Sequence, residues 1–202
     1  IYTTQWIKKM DAVIKQFFAE NRMKDGFVFV QGFYEDGHFF IHEIGYRLNG
    51  GFSFKLVEHL CNYNQIHQLV KYSLTGNMDK EEIAKSDPYL NGKIGMILTA
   101  TLGKGTIKKI GGVEKAASLP GVIQFYQLKE VGTTLTSNGT TAQVFAYILI
   151  TADTAEDLKK LIIDIEGLIT VEDESGNNLL LPMINPKELK FIENKKNERF
   201  KN

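Results

Sequence analysis

Glu43, Gly45 and Arg47 stand at every second position of an apolar stretch. An extended chain points residues at that spacing to one face. The oxygens of a carboxylate are hard ligands that suit magnesium. A guanidinium is a planar fork that binds phosphoryl oxygens in pairs. Between them Gly45 leaves room for a ligand or water. Gly50 and Gly51 follow, and their backbone N–H groups can face an anion. Gln31 lies on the preceding apolar stretch. Together these residues suit a metal-bound polyphosphate. The same Glu43 and Arg47 also fit a surface ion pair, which is common and weak. On that alternative the chain is a non-catalytic binding or regulatory α+β module.

Two strands must carry this set. Phe27 to Tyr34 and Phe39 to Tyr46 read as strands around Glu35-Asp36-Gly37, where Asp-Gly is a strong hairpin signal. A regular two-residue loop pairs Glu35 with His38, and so Gln31 with His42. Glu43 would then face away from Gln31. A shared metal therefore requires an odd-length loop or a bulge, and we expect one of them. His42, alternating with Glu43, is expected to face away from the metal.

The surrounding pattern is mixed. Ile1 to Thr4 reads as a strand end. A helix follows with Trp6, Met10, Val13, Ile14, Phe17 and Phe18 on one face. After the Asn49 to Gly51 loop, helices are predicted near 53–61 and 65–75, with Gly76 as a stop signal. The polar stretch 77–91 reads as a connection. Strands are expected at 94–102, 106–110, 122–130 and 142–151, with a short helix at 113–118. Thr154 to Asp157 reads as a helix cap ahead of Leu158, Leu161, Ile162, Ile165 and Leu168.

Composition removes several classes. The chain has 202 residues, 43% hydrophobic and 24% charged, with zero formal net charge. That balance lacks the basic excess of a nucleic-acid binder. No apolar run is long enough for a membrane helix. The single cysteine, Cys61, excludes a disulfide framework and reads as a buried thiol in a reducing, cytoplasmic setting. Gly103-Lys104-Gly105-Thr106 lacks the spacing of a phosphate loop and reads as a hairpin turn. Asn138-Gly139-Thr140 matches a glycosylation acceptor, without meaning in the cytoplasm. The charged run from Lys195 reads as a solvated tail.

The run Phe39-Phe40-Ile41-His42-Glu43-Ile44-Gly45-Tyr46-Arg47-Leu48-Asn49-Gly50-Gly51 resembles the ATP-grasp superfamily of ligases. The resemblance extends through Gly105-Thr106-Ile107, Gly112-Val113-Glu114, Pro120-Gly121-Val122 and Gly132, and spans roughly Trp6 to Met183. Carbamoyl-phosphate synthase large subunits, phosphoribosylglycinamide synthetases and L-amino-acid ligases are the branches it suggests. It implies an α+β fold: residues 1–90 as the metal-binding half of an ATP-grasp lobe, with antiparallel sheet and helices. Residues 91–190 follow as a small strand-rich α+β sub-domain, and 191–202 as a polar tail. It implies ATP and Mg2+ (or Mn2+) as cofactors, Gln31 and Glu43 as metal ligands, and Arg47 as the catalytic phosphoryl contact. Asn49, Gly50 and Gly51 are expected to place the substrate. Two positions depart from the family pattern. Gly45 replaces the usual Asn, which often ligates a second metal. Gln31 replaces a commoner carboxylate, which lowers the negative charge at the site. The implied partners are a small-molecule carboxylate, an amine and preceding domains of the same polypeptide, and a homodimer is allowed. Asn62-Tyr63-Asn64 replaces the family's Gly-x-Asp loop. The adenine-holding part would precede Ile1, so this chain alone is expected to bind ATP poorly.

Overall fold

A computed structural model describes residues 3–184. The chain forms two compact units, Ile1–Asn91 and Gly92–Asn202. The polar tail predicted at 191–202 lies outside the described residues.

The first unit opens with two helices, α1 (Thr3–Lys9) and α2 (Asp11–Glu20). Thr3 and Thr4 are therefore helical, not the end of a strand. The single predicted helix kinks at Met10, where φ is −115°. The Met10 N–H still donates to the Trp6 carbonyl at 2.8 Å across the kink. Strands β1 (Phe29–Glu35) and β2 (His38–Gly45) pair antiparallel. Asp36 and Gly37 both take positive φ, 46° and 82°, as a two-residue turn between right-twisted strands demands. Helices α3 (Ser53–Cys61) and α4 (Gln65–Thr75) follow, and the short α5 (Lys80–Ile83) lies in the polar stretch after them. Asn62 at φ 51° ends α3, and Asn64 caps α4 by accepting from the His67 N–H at 2.8 Å. The unit buries Leu56, Cys61, Tyr63, Met78 and the polar Gln68. Gln68 is satisfied there, accepting from the Asp79 N–H at 3.0 Å. Cys61 is buried and free, as its neighbours suggest.

The second unit is built on an antiparallel sheet of order β3-β8-β6: β3 (Ile94–Thr101), β6 (Val122–Gln127) and β8 (Val144–Ala152). The apolar run of β8 explains its central place, since Phe145, Ala146, Ile148, Leu149 and Ile150 are all fully buried. Helix α7 (Ala155–Leu168) packs on β8 and turns Leu158, Ile162 and Ile165 inward. Thr154 caps it by accepting from the Asp157 N–H at 3.1 Å. The short α6 (Val113–Ala117) packs against α7 and β6. The strand predicted at 106–110 is split. Its ends pair with different partners: β4 (Gly105–Thr106) with β7 (Thr134–Leu135), and β5 (Lys109–Gly111) with β9 (Thr170–Glu172). Ile107, fully buried between them, anchors the switch.

Candidate functional site on the open face of the β1–β2 hairpin

The ladder from the turn runs Glu35 with His38, Tyr34 with Phe39, Phe33 with Phe40 and Gly32 with Ile41. It then jumps to Gln31 with Glu43, leaving His42 as the extra residue of a bulge. The turn has two residues, so of the two devices open to the chain it uses the bulge. Gln31 and Glu43 are thereby direct cross-strand partners, and such partners share a face. His42 does not face away as alternation suggested. Its ring lies 5.2 Å from that of Phe33, two residues from Gln31 on the same face of β1. A bulge interrupts alternation and re-aims the side chain it carries.

The other face is the packed one. Phe39 meets Trp6 of α1 edge-on at 5.3 Å, and Tyr46 lies 6.4 Å from Phe18 of α2. Covering that face leaves Gln31, Phe33, Phe40 and Glu43 exposed on the other. Phe33 is 69% and Phe40 55% exposed, so a patch of aromatic surface flanks the carboxylate. Gly32 is needed at the bulge, since a Cβ there would strike the backbone of Phe40 and Ile41.

Arg47 is held from below. Its Cζ lies 4.4 Å above the centre of the Phe29 ring. Phe29 pairs with Gly45, and a Cβ on Gly45 would run into the ring. The missing side chain thus lets the aromatic ring lie down on β2 as a shelf for the guanidinium. Arg47 Nη1 donates to the Leu48 carbonyl at 3.0 Å. Its Nη2 is 4.0 Å from Glu43 Oε1, too long for a hydrogen bond, and both side chains are about half exposed. Sequence reasoning missed Phe29; a large aromatic opposite a strand glycine was the available signal.

The loop after β2 is open. Nothing lies within 4 Å of a Cβ placed on Gly50 or Gly51. Asn49 Oδ1 accepts from the Ser53 hydroxyl at 2.8 Å, which leaves its amide donors outward. Tyr46 closes the base of the loop by donating to the Asp25 carbonyl. Its hydroxyl also meets that of Tyr72 at 3.5 Å. That hydrogen bond, with partial burial and nearby Asp25, pushes the Tyr46 hydroxyl up to about 12.

Among the described residues no three His, Cys, Asp or Glu side chains gather as a metal cluster. Gln31 and Glu43 offer two hard oxygens on one open face. That donor set fits magnesium, which binds few protein ligands and keeps waters and phosphate oxygens for the rest.

Set beside known structures, the chain superposes on an L-amino acid ligase from Bacillus licheniformis with a TM-score of 0.64. The two are 18% identical, over 81% of this chain and 42% of that one. Phosphoribosylglycinamide synthetase from Anaerococcus prevotii gives a TM-score of 0.62 at 14% identity, over 85% of this chain and 43% of that one. Over the matched part the fold is the one these two ligases share. The chain spans less than half the length of either structure. Residues 98–174 match the family model of the L-amino acid ligase C-terminal domain 2. That match lies in the second unit, whereas Gln31, Glu43 and Arg47 lie in the first. No curated protein sequence matches the chain. No helix among the described residues is long and apolar enough to cross a membrane.

Proposed function

We propose that this chain is the metal- and phosphate-holding portion of a cytoplasmic ATP-dependent ligase. The ligase joins a carboxylate to an amine through an acyl phosphate. The observation that carries this reading is the bulge that sets Gln31 opposite Glu43 on an open face. A surface ion pair does not need that device. The 4.0 Å separation of Glu43 and Arg47, half exposed, is worth about 0–1 kcal/mol as a pair.

In the proposed reaction Gln31 and Glu43 hold magnesium (or manganese), which offsets phosphoryl charge. Arg47 donates to the oxygens of the phosphoryl group and stays in place on Phe29 as that group moves to the substrate carboxylate. Its fixed fork needs no reorganisation as charge builds, which is where electrostatic catalysis gains most. The Asn49 amide and the backbone of Gly50 and Gly51 orient the carboxylate. The amine then displaces phosphate from the acyl phosphate. Phe33 and Phe40 are apolar surface of the kind that a preceding domain of the same polypeptide covers.

Isothermal titration of the full-length ligase with magnesium and a non-hydrolysable ATP analogue tests this reading. Metal-dependent binding is expected, and Glu43→Gln is expected to weaken it at least about tenfold, the loss of one charged ligand. Equal binding by the wild type and Glu43→Gln would remove the site. A bulky replacement of Gly51, which has open space around it, is expected to raise the KM of the acid substrate. An unchanged KM would exclude the loop from substrate placement.

A further inference from the structure

In the second unit two loops singled out by composition, Gly103 to Thr106 and Asn138 to Thr140, meet at one cleft of about 700 Å³. That volume lies in the range of small-molecule sites. Its polar lining is one-sided: Lys104 contributes a cation, and no Asp or Glu lines the cleft. Among the described residues no ion pair or hydrogen bond engages the Lys104 ammonium.

A hydrogen-bond chain fixes what Asn138 offers. The Thr140 N–H donates to Gln143 Oε1 at 3.2 Å, which identifies the oxygen end of that buried amide. Gln143 Nε2 therefore donates, at 2.6 Å to the Leu102 carbonyl and at 3.2 Å to Asn138 Oδ1. With its oxygen engaged by Gln143, Asn138 has both amide N–H groups left for an occupant of the cleft. The Thr141 hydroxyl adds a further donor on the lining. The lining also includes the apolar side chains of Val144 and Leu181. One cation, amide donors and apolar side chains together describe a ligand with a single negative charge on an apolar body.

We propose that this cleft binds a small aliphatic carboxylate, with Lys104 and Asn138 holding the carboxylate and Val144 and Leu181 its hydrocarbon part. The site lies within the second unit and uses none of the hairpin residues.

The test is a titration of the full chain with 4-methylpentanoate, followed by backbone and side-chain amide NMR. Its neutral analogue 4-methylpentanamide and inorganic phosphate are run in parallel. Saturable shifts at Gly103, Gly139 and the Asn138 side-chain amide are expected with the carboxylate. Lys104→Gln, an exposed change, is expected to weaken them about five- to tenfold, the loss of one charge-assisted hydrogen bond at an open site. Asn138→Asp is expected to weaken binding as well, by setting a like charge against the ligand. The proposal is overturned if the carboxylate gives no saturable shift, or if Lys104→Gln binds as well as the wild type. It is also overturned if the amide binds equally, which removes the role of charge. Phosphate binding as tightly would remove the role of the apolar side chains.

Discussion

Phe29 and Gly45 make Arg47 a guanidinium with an address. An exposed arginine samples many rotamers, and a ring beneath it removes part of that freedom before any ligand arrives. Phe29→Leu keeps apolar volume and removes the ring. It is expected to weaken magnesium tripolyphosphate binding about two- to fivefold, the worth of an exposed cation–π contact. Phe29→Tyr is expected to bind like the wild type. In an Arg47→Ala background the same Phe29 change should have no further effect. Equal losses in both backgrounds would show that Phe29 acts on the hairpin and not through Arg47. Gly45→Asn would drive a side chain into the ring. It is expected to cost about 1–3 kcal/mol in a denaturation experiment, as overpacking does. Phe29→Ala in the same chain should recover part of that loss.

The hairpin shows which parts of an element are readable in advance. Asp36-Gly37 and the flanking apolar runs announced both strands and a tight turn between them, though not its length of two residues. The need for an odd-length loop or a bulge followed from parity alone, once Gln31 and Glu43 were required on one face. The bulge's location at His42 did not, because a bulge is placed by the balance of packing on both faces, which period-two reading does not contain. The sense in which His42 points was misread for the same reason. The split at Ile107 was hidden because strand propensity says nothing about a change of partner. Gly32 faces backbone across the bulge, so Gly32→Ala is expected to destabilise the chain by about 1–3 kcal/mol. An unchanged melting transition would contradict the bulge geometry.

Tyr46 ties the end of β2 to Asp25 and Tyr72, and its raised pKa makes that tie pH dependent. A hydroxyl whose folded pKa lies above its ordinary value of 10 stabilises the fold below that value. The contribution is lost as pH rises from 10 through about 12. The difference between the ultraviolet tyrosinate titrations of the wild type and Tyr46→Phe should show one group titrating near 12. A difference curve centred at 10 would contradict the contact.

At the scale of the molecule the two units differ in how much they bury. The second has a continuous core of β3, β8 and α7 residues, including Leu98, Phe145, Ile148, Ile162 and Ile165. The first buries few large apolar side chains among the described residues and exposes Phe33, Phe40, Val70 and Leu74. Residues 92–202 expressed alone are therefore expected to unfold in one cooperative step. A broad, non-cooperative melt would contradict the independence of that core. The α+β class and the likeness to these ligases were readable because ordered glycine and proline positions mark turns along the whole chain. The exposed faces were not, since a sequence does not say which apolar residues lack a neighbour.

The central claim is that Gln31, Glu43 and Arg47 form one metal-phosphate site. Manganese with ATP, titrated into the full-length ligase, broadens amide signals near the bound ion. The account predicts broadening centred on residues 31, 43 and 47 and its loss in Glu43→Gln. Broadening elsewhere, or a pattern unchanged by Glu43→Gln, would contradict it.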